Sequence, residues 1–161
     1  MQIHTTHAIL AWLMSYLKRF FIAVFCLLTL ANCGSGSSLG FETVPVTIQS
    51  FFGSTILFAE VADTEEKREQ GLSDRLQLSD GYGMLFVFDT TERQSISLTD
   101  IFLSLDVIFI SENQQIVAIE ENTTPLSTQA ISPNVEALYV LEVNAGFSTD
   151  NGISIGDTVL F

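Results

Sequence analysis

Residues 103–110 of the 161-residue chain read Leu-Ser-Leu-Asp-Val-Ile-Phe-Ile. Because β-branched and aromatic residues are abundant in this run, it predicts a β-strand. Turn-forming residues separate it from similar runs, in which apolar residues recur with a period near two. These further predicted strands are residues 44–49, 55–61, 84–88, 116–119, 138–143 and 158–161. About seven to nine strands predict a mostly β domain, namely a single β-sandwich or a jelly-roll-like distorted barrel.

One or two short helices complete the predicted α+β fold. Asp63 is followed three residues later by Glu66, a spacing that fits a capping box, and Gly71 suits the far end of a helix. We therefore expect a helix over residues 64–70. A second helical turn is predicted around residues 145–150.

The N-terminal residues have the layout of a bacterial secretory signal. The basic pair Lys18-Arg19 precedes an unbroken apolar run over residues 20–28. Counted to Ala31 this run is about a dozen residues long, whereas a helix that crosses a bilayer needs roughly 20. The pattern therefore favours cleavage. Because the charged region of a signal is short, we expect translation to begin at Met14 and residues 1–13 to be an upstream extension.

A lipid anchor is predicted at Cys33. Leu30-Ala31-Asn32-Cys33 resembles the lipobox of bacterial lipoprotein signals, whose cysteine is acylated and begins the mature protein. Asn32 is larger than the residue that normally precedes this cysteine, so an ordinary cleaved signal is the alternative. Gly34-Ser35-Gly36-Ser37-Ser38 has the composition of a flexible tether. The predicted organisation is an extension (1–13), a signal peptide (14–32), a tether (33–44) and one domain (45–161).

The predicted mature part is strongly acidic. All 19 acidic residues of the chain lie after Cys33, against only four basic residues. These basic residues are Lys67, Arg68, Arg75 and Arg93. Such a surface repels phosphate backbones and anionic headgroups, which excludes nucleic acid as a partner. Membrane attachment should come from the lipid on Cys33.

The mature part also lacks two common catalytic residue types. Both histidines lie upstream of Met14, Cys26 lies inside the signal, and Cys33 would carry the lipid. The domain therefore has no disulfide, and its composition excludes Ser-His-Asp and Cys-His catalysis. The absence of histidine also removes the commonest zinc ligands, and we predict no metal ion and no cofactor.

Six separated blocks occur in a recognisable order and spacing. They read Glu-Val-Ala-Asp-Thr (60–64), Arg-Glu-Gln-Gly-Leu (68–72), Gly-Met-Leu-Phe-Val-Phe (83–88), Leu-Asp-Val-Ile-Phe-Ile (105–110), Val-Leu-Glu-Val-Asn-Ala-Gly (140–146) and Gly-Ile-Ser-Ile-Gly-Asp (152–157). In these blocks the chain resembles the Domain of Unknown Function 192 family, over about residues 45–161. The resemblance implies a compact, mostly β fold of sandwich or jelly-roll type that is often exported and has no established activity.

The chain departs from this family in one segment. The family has Phe-Trp-Met-Lys-Asn-Thr shortly before its Leu-Asp pair, and the matching residues 96–101 here read Ile-Ser-Leu-Thr-Asp-Ile. If that segment builds the family's usual site, this member has lost or changed it. Asp100 is a binding candidate within it, and with Asp89 and Glu92 it makes an oxygen-rich region of the kind that can bind calcium. A solvated acidic loop is the alternative interpretation.

Asp106 and Glu142 are the other acidic candidates, because each lies inside an apolar strand. A carboxylate in such surroundings is costly unless it is paired or protonated, and Arg75 or Arg68 could hold it bidentately. For Asp106 we weigh a buried structural ion pair against a polar floor of a pocket. If Asp106, Glu142 and Arg75 converged, the two carboxyl groups could divide into an acid and a base. Separate edge positions for the two carboxyl groups are the alternative.

These observations predict an exported, lipid-anchored envelope protein on the periplasmic face of a bacterial membrane, or otherwise a soluble periplasmic protein. The favoured function is a non-catalytic accessory module that binds a small molecule, a glycan or an envelope protein. One alternative is a carboxylate-based hydrolase acting on glycans. The other is a structural scaffold with a degenerate family site. The sequence leaves open whether the protein is an enzyme and which residues would be catalytic.

Overall fold

The computed structural model describes residues 40–161. The predicted extension, signal peptide and Cys33 lie outside these residues, as does the tether up to residue 39. Seven strands form one sheet: β1 (Glu42–Ser50), β2 (Gly53–Ala62), β3 (Tyr82–Glu92), β4 (Leu105–Ile110), β5 (Ile116–Glu120), β6 (Ala137–Asn144) and β7 (Thr158–Leu160). Helix α1 (Glu65–Gln70) follows β2, and α2 (Phe147–Asp150) follows β6. Each of the seven predicted strand runs therefore overlaps one strand of the structure, and β1 begins three residues before the predicted domain.

The sheet has the strand order β5-β4-β6-β3-β2-β1-β7. All neighbouring pairs are antiparallel except β2 and β3, which are parallel and are joined through α1. Backbone bonds also link the two ends of this order, since Ile116 N donates to Asp157 O at 2.9 Å and Val159 N donates to Gln114 O at 2.8 Å. The sheet is thus curled towards closure, which confirms the predicted mostly β, distorted-barrel class.

The central strands are buried on both faces. All six residues of β4 are buried, which explains why residues 105–110 read as a nearly continuous apolar run. One apolar cluster includes Leu85, Ile108 and Leu141, and the other includes Phe86, Phe109 and Val140. Because side chains alternate along a strand, neighbouring residues of β3, β4 and β6 enter different clusters.

The start of α1 differs from the predicted capping box. Thr64 is the N-cap residue, and its hydroxyl accepts a hydrogen bond from Lys67 N at 3.3 Å. Asp63 instead forms an ion pair with Lys67 at 2.7 Å. A β-extended backbone at Thr64 aims its oxygen at the free N–H groups of the first turn, so the cap lies one residue later than predicted. Gly71 ends the helix as expected.

Candidate functional site

Asp106 is a fully buried residue of β4 whose carboxylate is held by backbone donors. Its Oδ1 accepts from Asn122 N at 2.9 Å and from Gly146 N at 3.1 Å. Its Oδ2 accepts from Ser148 N at 2.9 Å. Two of these donors begin α2, where backbone N–H groups have no partner within the helix. Asp106 therefore ties the first turn of α2 and the loop after β5 to the sheet.

The predicted ion pair between Asp106 and Arg75 or Arg68 is wrong. Arg75 donates two hydrogen bonds to Glu60, at 2.9 and 2.6 Å, and these bonds hold the pKa of Glu60 below its ordinary value. Arg68 donates to Val87 O at 2.8 Å and to Asp89 at 3.3 Å. Because three N–H groups already satisfy Asp106, its burial needs no cation.

The predicted convergence of Asp106 and Glu142 does not occur. Asp106 alternates with Ile108 and Ile110 on β4 and so shares their face of the sheet. Glu142 shares the opposite face with Val140. The two carboxyl groups are separate, as the alternative held, but they lie on interior strands rather than at a sheet edge.

Glu142 lines a cleft between α1, β3 and the segment before β4. This cleft, called here the Glu142 cleft, has a volume of about 540 Å³. Residues of α1, of β3 and of the segment before β4 form its walls. Its lining consists of Glu65, Arg68, Glu69, Gln70, Gly71, Leu72, Ser73, Phe86, Phe88, Asp89, Ser95, Ile96, Ser97, Ile101 and Glu142.

The Glu142 carboxyl group has an unusual environment. The residue is only 2% exposed, and its Oε2 has no hydrogen-bond partner among residues 40–161. Its neighbours across the ladder are the apolar residues Met84 and Val107. Removal of water from the carboxyl group raises its pKa from 4.5 to about 8. At neutral pH Glu142 is therefore largely a neutral acid that can both donate and accept a hydrogen bond.

The segment that departs from the family pattern forms one wall of this cleft. Ile96 and Ile101 are buried, and both line the cleft together with Ser95 and Ser97. Ile96 is fixed by reciprocal backbone hydrogen bonds with Ile131, each 2.9 Å long. Residues of the 96–101 segment therefore form part of the cleft wall, and Ile96 and Ile101 anchor that segment in the core.

Asp100 lies on the solvent side of the same segment. It is exposed and is not among the cleft-lining residues, and Asp89 and Glu92 are exposed as well. In the part of the chain that the structure describes, no group of three or more His, Cys, Asp or Glu side chains is arranged to hold a metal ion. Within residues 40–161, Asp100, Asp89 and Glu92 therefore do not form a group that could hold a metal ion.

Sequence reasoning found Glu142 but not the cleft around it. The signal was one acidic residue inside an apolar strand, and this signal is identical for Asp106 and Glu142. Only the fold shows that backbone donors reach Asp106, whereas α1 and residues 95–101 leave space over Glu142. Phe86 and Phe88 are missed as cleft residues because their run reads simply as a core strand.

Comparison with known proteins gives a family model and two solved structures. The model, described as an uncharacterised ACR under the name DUF192, matches residues 48–161. A proposed transcription regulator from Sinorhizobium meliloti 1021 is 33% identical with a TM-score of 0.74, and the match covers 77% of this chain and 97% of that one. A protein of unknown function from Novosphingobium aromaticivorans DSM 12444 is 27% identical with a TM-score of 0.74, and the match covers 81% of this chain and 94% of that one. No curated protein matches the chain.

Proposed function

The chain belongs to the Domain of Unknown Function 192 family, and we propose that it is a non-catalytic accessory domain of the bacterial envelope that binds a small molecule in the Glu142 cleft. The observation that carries this proposal is Glu142, a cleft-lining residue whose buried Oε2 has no hydrogen-bond partner within residues 40–161. Burial of a carboxyl oxygen without a partner destabilises a fold, so such groups are concentrated at binding and active sites. The cleft brings apolar side chains together with several charged and polar ones, and ligand sites combine these two kinds of surface.

A binding role is favoured over glycan hydrolysis. A carboxylate-pair hydrolase needs an acid and a second carboxylate on either side of the scissile bond. Asp106 and Glu142 face opposite sides of the sheet, and both oxygens of Asp106 already accept backbone N–H groups. The predicted pair therefore has no common substrate position.

Export and anchoring complete the proposal. The basic pair Lys18-Arg19, the apolar run over 20–28 and the lipobox-like Cys33 support a lipid anchor in the envelope. Among residues 40–161, no helix combines the length and apolar character that crossing a bilayer requires. With the cysteine acylated, residues 34–38 would hold the domain away from the bilayer.

The charge of this domain does not favour a role like that of its Sinorhizobium relative, described as a proposed transcription regulator. Residues 40–161 contain all 19 acidic residues of the chain and only four basic ones. Neutralisation of phosphates by Lys and Arg supplies most of the affinity of a protein for DNA. We therefore propose a ligand other than nucleic acid.

A thermal-shift screen of the full-length chain against wall fragments, sugars and metabolites tests the binding site. A ligand at about 100 times its dissociation constant stabilises a protein by roughly 2.7 kcal/mol. We expect a hit whose shift disappears in Ser97→Trp, which fills the cleft, and persists in Thr99→Trp. Thr99 is a matched control because it is exposed in the same segment but does not line the cleft. Hits that survive Ser97→Trp, or no hit in the whole panel, would contradict the site.

The anchor is tested separately by palmitate labelling in a bacterial host. We expect the wild-type chain to incorporate label and to fractionate with membranes, and Cys33→Ala to do neither. Equal labelling of the two proteins would refute a lipid at Cys33. Label in neither protein, with a cleaved and soluble product, would indicate an ordinary signal peptide.

A further inference from the structure

We propose that the ligand of the Glu142 cleft is a small organic cation with an apolar body, whose ammonium group donates a hydrogen bond to Glu142 Oε2. This inference rests on the proposed binding function and adds the charge class of the ligand. It follows from the charged residues that line the cleft, from its apolar side chains and from the buried, unpartnered Oε2 of Glu142.

The charged groups that line the cleft are mainly acidic. Glu65 and Glu69 come from α1 and Asp89 from β3, whereas Arg68 is the one basic residue of the lining. The guanidinium of Arg68 is already engaged, since it donates to Val87 O and to Asp89. The cleft is therefore negative even while Glu142 is protonated. An anionic ligand would meet repulsion, and a cationic ligand would be attracted.

No cation of the described domain reaches Glu142. The ion pairs found within residues 40–161 are Lys67 with Asp63, Arg68 with Asp89, and Arg75 with Glu60. The residues opposite Glu142 on β3 and β4 are Met84 and Val107, which cannot supply a charge or a strong donor. Residues 40–161 therefore supply no donor to Oε2, and a molecule that enters the cleft can supply one.

The interior of the cleft suits an apolar body of modest size. Leu72, Phe86, Phe88, Ile96 and Ile101 line it beside Glu142. Aromatic rings present a negative face to a nearby cation, as the approach of Arg68 to 5.6 Å from the Phe88 ring centroid already shows. An alkyl or aryl amine can bury its carbon chain against these side chains while its ammonium group meets the carboxylate.

Binding of such a cation is coupled to proton release. The free protein holds a proton on Glu142 at neutral pH because burial raises the pKa of this carboxyl group to about 8. When the ammonium group enters, the carboxyl proton leaves to solvent, and a carboxylate–ammonium pair replaces the neutral acid. Net charge and atoms balance, since one proton is released for each cation bound to the protonated form. Glu65, Glu69, Asp89 and Arg68 face the same space, and the three carboxylates favour retention of the cation.

A matched set of five-carbon probes tests the charge class. Pentylammonium, 1-pentanol and pentanoate share a five-carbon chain and differ in the end group. A primary alkyl amine has a pKa of about 10, so pentylammonium stays cationic over the pH range of the experiment. Binding to the full-length chain is followed by NMR, together with the titration of the Glu142 carboxyl carbon. Since only the ionised fraction of Glu142 binds the cation, its affinity should rise about tenfold per pH unit from pH 6 to 7 and level off above about pH 8.

We expect pentylammonium to bind and to lower the pKa of Glu142, and pentanoate not to bind. Glu142→Gln should reduce pentylammonium affinity to that of 1-pentanol and abolish its pH dependence. Glu136→Gln is the matched control, because Glu136 is exposed and lies outside the cleft. If Glu142→Gln does not fold, the Glu142 titration in the wild-type chain still decides the result.

Two other results would overturn the inference. If 1-pentanol binds and pentylammonium does not, the cleft is a site for neutral ligands, so the proposed function stands and the cation is wrong. If no probe shifts the cleft resonances, the cation is equally refuted, and the thermal-shift screen decides whether the cleft binds anything.

Discussion

Asp106 and Glu142 are two buried carboxyl groups on neighbouring strands with opposite supplies of donors. Asp106 receives three backbone N–H groups, whereas Glu142 Oε2 receives none from residues 40–161. A buried carboxyl group that accepts several N–H groups has its hydrogen-bonding capacity filled, whereas one without partners favours the neutral acid. Asp106 therefore stabilises the fold, whereas the Oε2 of Glu142 keeps a hydrogen-bonding capacity that residues 40–161 do not use.

The first prediction concerns the donors around Asp106. Asp106→Asn keeps the side-chain volume but replaces one acceptor oxygen with an NH₂ group that faces an N–H donor. We expect the free energy of unfolding to fall by about 2 kcal/mol or more, because at least one buried N–H donor loses its acceptor. Urea denaturation of the full-length chain measures the change. The exposed Asp100→Asn should alter it by less than about 0.5 kcal/mol, and equal effects of the two variants would contradict this role.

The second prediction concerns the pH dependence of stability. The folded protein keeps a proton on Glu142 up to about pH 8, whereas the unfolded chain releases it near 4.5. Stability should therefore fall as pH rises between these values, by up to about 1.4 kcal/mol per pH unit. Glu60 acts in the opposite sense, since Arg75 lowers its pKa, but its loss of stability occurs only as pH falls through the acid range.

Unfolding of wild type and Glu142→Gln across this pH range separates the two effects. The fall between pH 5 and 8 should disappear in Glu142→Gln and persist in Glu136→Gln, whose carboxyl group is exposed. Parallel profiles for wild type and Glu142→Gln would show that Glu142 is ionised in the folded protein throughout the range.

At the scale of elements, the N-cap of α1 gives the third prediction. Thr64→Ala removes the oxygen that accepts from Lys67 N and should cost about 1 kcal/mol of unfolding free energy. Asp63→Ala removes only an exposed i,i+4 ion pair with Lys67 and should cost less. Denaturant midpoints of the two variants decide between the observed cap and the predicted one. A larger loss in Asp63→Ala would restore Asp63 as the cap.

The strands could be predicted from the sequence, but which strands pair with each other in the sheet could not. Apolar and β-branched runs locate each strand because local composition decides whether a segment fits a sheet. The parallel pairing of β2 with β3 and the insertion of β6 between β3 and β4 depend on long-range contacts. The ion pair of Arg75 with Glu60 could not be predicted for the same reason, because only the fold brings these two residues together. Glu142 was identifiable as a buried acid, and its cleft depended on the placement of α1.

At the scale of the whole molecule, β7 connects the two ends of the curled sheet. On one side, β7 pairs with β1. On the other side, backbone hydrogen bonds join Val159 and residues 156–157 to residues 114–116, where β5 begins. These contacts join chain segments about 40 residues apart as well as the two ends of the strand order. Both exposed strand edges that an open sheet would present are thereby reduced.

The fourth prediction tests this closure with two neighbouring residues of β7. Val159 is fully buried in the cluster that contains Ile48 and Ile116, and Leu160 is 40% exposed. Val159→Ala should lower the free energy of unfolding by about 2 kcal/mol, because it removes buried methyl groups and leaves a cavity. Leu160→Ala should cost less than half as much. Because Ile116 N and Val159 N both donate across the closure, their amide hydrogens should also exchange faster together in Val159→Ala. Faster exchange at Val159 alone would show that β7 can open while residues 114–116 stay protected, and the sheet would then be held closed by other contacts.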